Sequence, residues 1–411
     1  MIEMDQLDEA ARIFEDEARH AELGTKTLKL PDWFDFDLSP EGPEFRQQQL
    51  RLWEAITGRE NYDPSANEDT PGVGELDAWR RPAFYAWGNS HIAGEQILAT
   101  GLIMLRSGAR PGSRIIEFGA GFGQTALAFA RLGAKVDTVD INPGFCSAIN
   151  VQAERFEVDL SAHVGHFGFN PAEHDGVYDI ILFYESFHHC FDFPTVIPQL
   201  EKMLAPGGKI MLAGEPVFRD DQAPMPIDWG IRLEWQNVAV MRIRGWMELG
   251  FREHYLTRQF MNSGFMWNHH AVPQAGPANL YEFTRWTDAI SMEHWPLSPM
   301  EAQCWRAAQD HGRWSRGESV LRLPRHDGAV EITCVCHNHS GRDVIMTLGA
   351  ERLEFSLTLG ERRTVSIPMH GLPDQELRIL TNTDRLEHEF PEELGIFVET
   401  IRPVRPASAV S

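Results

Sequence analysis

Two acids and three glycines at regular spacing mark the chemistry of this chain. They lie in Ile115-Ile116-Glu117-Phe118-Gly119-Ala120-Gly121-Phe122-Gly123 and Val136-Asp137-Thr138-Val139-Asp140-Ile141-Asn142. The pattern reads as strand, glycine turn, helix, second strand and acid. Glycines let a backbone approach a ligand where a side chain would block it. An acid about 20 positions on can accept hydrogen bonds from both hydroxyls of a ribose. Together they describe a site for an adenosine-bearing cofactor. The leading Glu117 separates two versions of such a site. A dinucleotide turn reads G-x-G-x-x-G and opens a helix facing a pyrophosphate, which a neighbouring carboxylate repels. A carboxylate suits a cofactor carrying an ammonium and a sulfonium.

A second cluster follows in Asp179-Ile180-Ile181-Leu182-Phe183-Tyr184-Glu185-Ser186-Phe187-His188-His189-Cys190. A strand ending near Tyr184 places Glu185, His188 and His189 at its C-terminal end, where open α/β sheets bind ligands. An alcohol is a poor nucleophile, so a reaction at a hydroxyl needs a base, and a histidine titrating near neutrality suits that role. His188 and His189 are therefore candidate bases, against a role in shaping the pocket. Glu215, after the next strand, is a further base or hydroxyl acceptor; His254 and Tyr255 are weaker candidates. Adjacent histidines do not share a helix face, so no metal site is expected. Cys334-Val335-Cys336 lacks the turn spacing of structural zinc and reads as strand core.

The order Glu117-x-Gly119-x-Gly121-x-Gly123 resembles the first motif of class I S-adenosylmethionine-dependent methyltransferases, E/D-x-G-x-G-x-G, and the resemblance covers roughly residues 85–290. It implies a cofactor loop of Glu117, Phe118, Gly119, Ala120 and Gly121, with Glu117 reaching the ammonium and the glycines under the methionine part. It implies that Asp140 holds the ribose diol, that Ile141 packs on adenine and that Glu185 lies near the transferred methyl. Relatives place Gly-Asp-Ala after the third strand. Here the match is Gly165-His166-Phe167, with His166 in the adenine-binding position or in a surface turn. Trp87 and Asn89 are expected to close over the cofactor. S-adenosylhomocysteine would be the product.

The elements needed to position these residues follow from periodicity. Strands are expected at 113–118, 135–140, 161–166, 178–184 and 208–214, with helices at 123–132, 143–155 and 194–204. Short connections between them imply a parallel, Rossmann-like α/β sheet with helices on both faces. A helix at 253–263 and strands near 265–270 and 279–286 complete it. Residues 1–84 form a helical extension, with helices at 4–22 and from Pro43 to Thr57 and a polar loop or lid at 58–82. Asn89 to Arg106 is a helix with an expected apolar face of Ile92, Ile97, Leu98, Leu102 and Leu105. Residues 291–317 read as a linker.

From 318 the period switches to two, which indicates an all-β sandwich. Expected inward faces are Val330, Ile332, Cys334 and Cys336; Val344, Met346 and Leu348; Leu353, Phe355 and Leu357; Val365 and Ile367. The stretches Gly317–Pro324 and Glu393–Ile401 resemble the β-sandwich appended to bacterial surface-polysaccharide enzymes. That resemblance, with the tryptophans Trp229, Trp235, Trp246, Trp267, Trp286 and Trp295 as surfaces for polyol rings, implies a carbohydrate hydroxyl as methyl acceptor. A small-molecule methyltransferase with the sandwich as an oligomerisation element is the alternative. A non-catalytic glycan-binding protein is the third reading.

The 411 residues carry a net charge of −23 and 43% hydrophobic residues. Such acidity repels phosphate backbones, which disfavours nucleic acid as a partner. No apolar run spans a bilayer. The acidic N-terminus lacks a signal-peptide core, and five scattered cysteines suit a reducing cytoplasm.

Overall fold

A computed structural model describes residues 1–69, 82–83, 89–219, 225–337, 341–386 and 390–405; of 384–393 only the backbone is considered. The chain divides into two compact units, one of Met1–Leu256 with His269–Glu282 and one of Thr257–Asn268 with Phe283–Ser411.

The first unit holds the expected parallel strands: β1 (Arg114–Phe118), β2 (Lys135–Asp140), β3 (Leu160–Val164), β4 (Tyr178–Tyr184) and β5 (Leu204–Ala213). The short strands β6 (Val217–Phe218), β7 (Trp229–Ile231) and β8 (Leu249–Arg252) follow; β9 (Phe265–His270) and β10 (Leu280–Arg285) come next in the chain and have residues in both units. The sheet order is β3-β2-β1-β4-β5-β10-β9, with β1 to β5 paired in parallel. Central parallel strands are covered on both faces, so they read as unbroken apolar runs. Ile180, Ile181, Leu182 and Phe183 in β4 are accordingly all buried. The order reverses between β1 and β4, so the C-terminal ends of β1, β2 and β4 open onto one crevice.

Helices Gln124–Arg131, Pro143–Phe156 and Phe193–Met203 lie where the sequence places them. Pro206-Gly207-Gly208 sits inside β5 at a register shift against β4. The helix Ser90–Ser107 is present but turned. Ile97, Leu98 and Leu105 are exposed, and Ala93, Gln96, Ala99 and Ile103 are buried. Small residues let it pack closely, with Ala99 against Ala275 and Ala278. The expected helix at 4–22 is broken into a 3-10 turn, a helix at Leu7–Phe14 and a second 3-10 turn at Glu17–Glu22. It packs through Ala10 and Ile13 on Trp235 and Ala239 of the helix Trp235–Arg244. That helix and the small sheet β6-β8-β7 were not anticipated.

The second unit is antiparallel. Its strands are β11 (Ile290–Ser291), β12 (Arg313–Trp314), β13 (Glu318–Leu323), β14 (Asp327–Val335), β15 (Arg342–Leu348), β16 (Glu351–Leu357), β17 (Arg362–His370), β18 (Gln375–Thr381), β19 (Asp384–Leu386), β20 (Phe390–Leu394) and β21 (Phe397–Val404). One sheet runs β11-β21-β14-β17 with β12 on β21, and another runs β13-β18-β15-β16. The expected inward residues share one apolar core, including Cys334 and Cys336, which are fully buried.

Candidate functional site

The crevice at the C-terminal ends of the parallel strands is a cleft of about 870 Å³. Glu117, Gly119, Ala120, Gly121, Asp140, Ile141, His166, Phe167, Glu185 and His189 line it. The two sequence clusters therefore form one site.

The glycine loop is shaped by close packing. Gly119 has φ +66°, and a Cβ there would lie 2.6 Å from that of Ser186. Ser186 Oγ in turn donates to the Phe118 carbonyl at 2.7 Å, which locks the histidine turn against the glycine loop. Phe118 points away from the cleft and stacks on Phe183 in the core, so of this residue only the backbone serves the site.

Glu117 is 3% exposed, and its Oε2 has no hydrogen-bond partner. Burial pushes its carboxyl up to about 8. Asp140 accepts from the backbone N–H of Asn142 at 2.8 Å and of Gly121 at 3.2 Å. Burial raises it to about 6 against those two bonds. A buried carboxylate oxygen without a donor is costly unless a ligand supplies one. The wall thus presents one unsatisfied acceptor beside the glycine loop and a second carboxylate at the end of β2.

The structure divides the three expected bases. Glu215 faces away from the cleft. Its oxygens accept from the backbone N–H of Ser186, Phe187 and His188 at 2.9, 2.8 and 3.0 Å, and from His188 Nδ1 at 2.8 Å. Burial opposes its ionisation, but His188 and these donors keep its pKa low. Burial likewise opposes charge on His188, yet Glu215 and Glu248 raise its pKa. The two form a buried ion pair that builds the turn rather than working in the cleft. His189 does reach the cleft. Its Nδ1 donates to the Met247 carbonyl at 2.7 Å, which leaves Nε2 as a lone-pair acceptor. Burial and the neighbouring His188 lower its pKa to about 4, so the ring is neutral.

Glu185 stands in the left-handed region at φ 50°, a strained backbone that persists where the surroundings enforce it. It lines the cleft, and burial raises its carboxyl to about 7. Asn89 caps the helix Ser90–Ser107 through its Oδ1 and does not line the cleft. Trp87 lies outside the described residues. His166 lies in the wall with Ser65 Oγ at 3.3 Å.

Several residues of the site had no signal in the sequence. Tyr62 donates to Glu68 at 2.8 Å, the Met247 N–H donates to the same oxygen at 3.0 Å, and Trp246 Nε1 reaches the Asp69 carbonyl. These bonds bring Tyr62, Glu68 and Trp246 into the wall beside Leu50, Phe191 and His189. Of the six tryptophans offered for polyol rings, Trp246 alone lines this cleft. Trp229, Trp235, Trp286 and Trp295 are buried, and Trp229 and Trp235 spend their N–H groups on the Pro40 and Gly24 carbonyls. His254 faces Asp228 at 3.3 Å, and Tyr255 is buried among aromatics; neither lines the cleft.

Residues 94–270 match a family model described as a methyltransferase domain. Ubiquinone biosynthesis O-methyltransferase of Xanthomonas campestris pv. campestris is 30% identical over 105 residues, 26% of this chain and 44% of that protein. The protein of the same name from Xanthomonas oryzae pv. oryzae is 28% identical over 102 residues, 25% of this chain and 43% of its own. The chain thus spans under half the length of these curated relatives. Among solved structures, 1,6-didemethyltoxoflavin-N1-methyltransferase of Burkholderia thailandensis is 16% identical, covering 53% of this chain and 92% of its own, with a TM-score of 0.34. Among the described residues no helix is long and apolar enough to cross a membrane.

Proposed function

We propose that this chain transfers the methyl group of S-adenosylmethionine to an oxygen of a small organic acceptor. The observation that carries the reading is the pair of buried carboxylates, Glu117 and Asp140, on either side of a glycine loop in one cleft. The unpartnered Glu117 oxygen matches the cofactor's ammonium. Asp140 matches the ribose diol, with Ile141, His166 and Phe167 around the adenine. Bound there, S-adenosylmethionine supplies a sulfonium methyl group. The cleft would align that group with an acceptor oxygen, and an acceptor hydroxyl would also have to give its proton to a base.

The acceptor end is bounded by Leu50, Tyr62, Phe191 and Trp246, with Glu68, Glu185 and His189 as its polar groups. His189 Nε2 can accept a hydrogen bond from the acceptor hydroxyl and so orient it. Glu185 can take the proton, since a carboxyl near 7 is matched to neutral solution. His188 and Glu215 hold the turn that presents both. The apolar, aromatic wall favours a small molecule with a ring or hydrocarbon body. The names of the curated relatives point the same way. A carbohydrate hydroxyl is the narrower reading suggested by the sequence, and of the six tryptophans offered for it only Trp246 lines the cleft. The small-molecule alternative is therefore preferred.

Turnover tests this reading. The full chain is incubated with S-adenosylmethionine and a panel of phenols, alcohols and sugars, and S-adenosylhomocysteine release is measured. Release with a phenol or alcohol supports the reading, and release with sugars alone restores the carbohydrate acceptor. Cofactor binding with no turnover on any acceptor supports the non-catalytic reading.

A further inference from the structure

His188, His189 and Glu248 cluster next to the acceptor end of the cleft. One ring nitrogen of each histidine and one Glu248 oxygen all lie within 4.8 Å of one another. His188 Nε2 stands 3.7 Å from Glu248 Oε2. All three residues are buried or half-buried. We propose that this trio binds a divalent first-row transition metal ion, of which zinc is the type.

Both rings are held through their Nδ1 atoms. A metal-binding histidine characteristically gives its other ring N–H to a carboxylate or a backbone carbonyl, which fixes ring orientation and tautomer. Both partners are present. His188 Nδ1 meets the Glu215 carboxylate at 2.8 Å, and His189 Nδ1 meets the Met247 carbonyl at 2.7 Å. His189 keeps the lone pair of Nε2, which would coordinate the ion in place of accepting directly from the acceptor hydroxyl, and His188 would give up its Nε2 proton as the ion binds. The rings lie 4.2 Å apart between centroids and are tilted by 43°.

Glu248 arrives from a separate element. It directly precedes β8, and its carbonyl is tied to the Arg232 N–H at 2.9 Å. The trio is thus assembled by two independent pieces of backbone, each fixed by its own hydrogen bonds. Two imidazoles and a carboxylate make a three-ligand set of the kind that leaves a coordination position open. A modest approach of the three groups reaches the 2.0–2.2 Å bonds that zinc makes to nitrogen and oxygen. With His189 in the cleft wall, the open position suits an oxygen of water or acceptor. A coordinated hydroxyl is more acidic than a free one, and Glu185 remains available for its proton. The existence of the metal site does not depend on methyl transfer; only its use does.

The experiment strips the full chain with a chelator and titrates it calorimetrically with Zn²⁺, without cofactor. Co²⁺ is then added to a second sample, and its visible spectrum is recorded. His189→Ala and Glu248→Gln are measured alongside, with circular dichroism as the folding control. The expected result is one ion per chain, intense tetrahedral Co²⁺ bands, and at least tenfold weaker binding in each folded variant. No saturable uptake by the wild-type chain overturns the proposal, as does uptake that both folded variants retain. If a variant does not fold, the Co²⁺ spectrum of the wild-type chain decides alone. Loss of the metal claim with intact turnover leaves the methyltransferase reading standing, and the reverse result leaves the metal site standing.

Discussion

Replacing Glu117 by glutamine should stabilise the cofactor-free domain while weakening its affinity for cofactor. Glu117 is buried, one oxygen lacks a donor, and its carboxyl is raised from the usual 4.5 to about 8. Burial is the cause, moderated by the Ala126 backbone and reinforced by Asp140. Between those two values the unfolded chain binds fewer protons than the folded one. Stability therefore falls as pH rises through that window. Each unit is worth about 1.4 kcal/mol, so at pH 7 the cost is about 3 kcal/mol. Glutamine cannot ionise, and the variant escapes this cost. Any fixed packing penalty of the amide is independent of pH and drops out of the comparison. At about 2–4 °C per kcal/mol for a domain of this size, the melting-temperature difference, variant minus wild type, should grow by roughly 5–10 °C from pH 5 to pH 7. Scanning fluorimetry across pH 5 to 8 without cofactor reads it directly. With cofactor the order reverses. The wild-type domain should release about one proton on binding near pH 7, and its affinity should rise by up to about tenfold per pH unit below 8. The variant should release none through this residue. A melting difference that stays constant with pH would refute the reasoning, because Glu117 would then ionise normally in the empty cleft.

Three further outcomes are expected. Asp140→Asn replaces a charged acceptor for the ribose hydroxyls and should weaken cofactor binding by about 10- to 100-fold, measured by calorimetry, at about 1.5–3 kcal/mol for a charge-assisted bond. Glu215→Ala leaves three backbone N–H groups and the His188 imidazolium without their acceptor. Chemical denaturation should show a loss of about 3–5 kcal/mol, whereas a loss under 1 kcal/mol would contradict its role in building the turn. Glu185→Gln should lower kcat by about 100-fold or more with cofactor affinity retained. The wild-type rate should rise with pH through about 7 as Glu185 ionises, and this limb should vanish in the variant.

The legible part of the fold was the part whose signal is local. β4 is buried on both faces, so it announced itself as a run of apolar residues, and the strands after 318 alternate because one face is solvated. The cofactor loop was legible because Gly119 and Glu117 answer to backbone geometry and ligand charge at fixed spacing. The helix Ser90–Ser107 was misread in its facing. Its packing side carries Ala93 and Ala99, which allow close approach, along with Gln96 and Ile103, while Ile97 lines the cleft. The acceptor end was largely hidden. Tyr62 is bonded to Glu68, residues 68 and 69 are bonded to the distant Met247 and Trp246, and the Met247 carbonyl meets His189 of the histidine turn. No periodicity records such pairings. Glu215 was recognised as a residue of the site, but its role could not be read, because the N–H groups it accepts belong to another loop.

Calorimetric titration of the full chain with S-adenosylmethionine tests the central claim most directly. The account predicts saturable binding of one cofactor per chain, with proton release near pH 7 that Glu117→Gln abolishes. Absence of binding at about 1 mM cofactor, where even a weak site of about −4 kcal/mol fills by half, would contradict it.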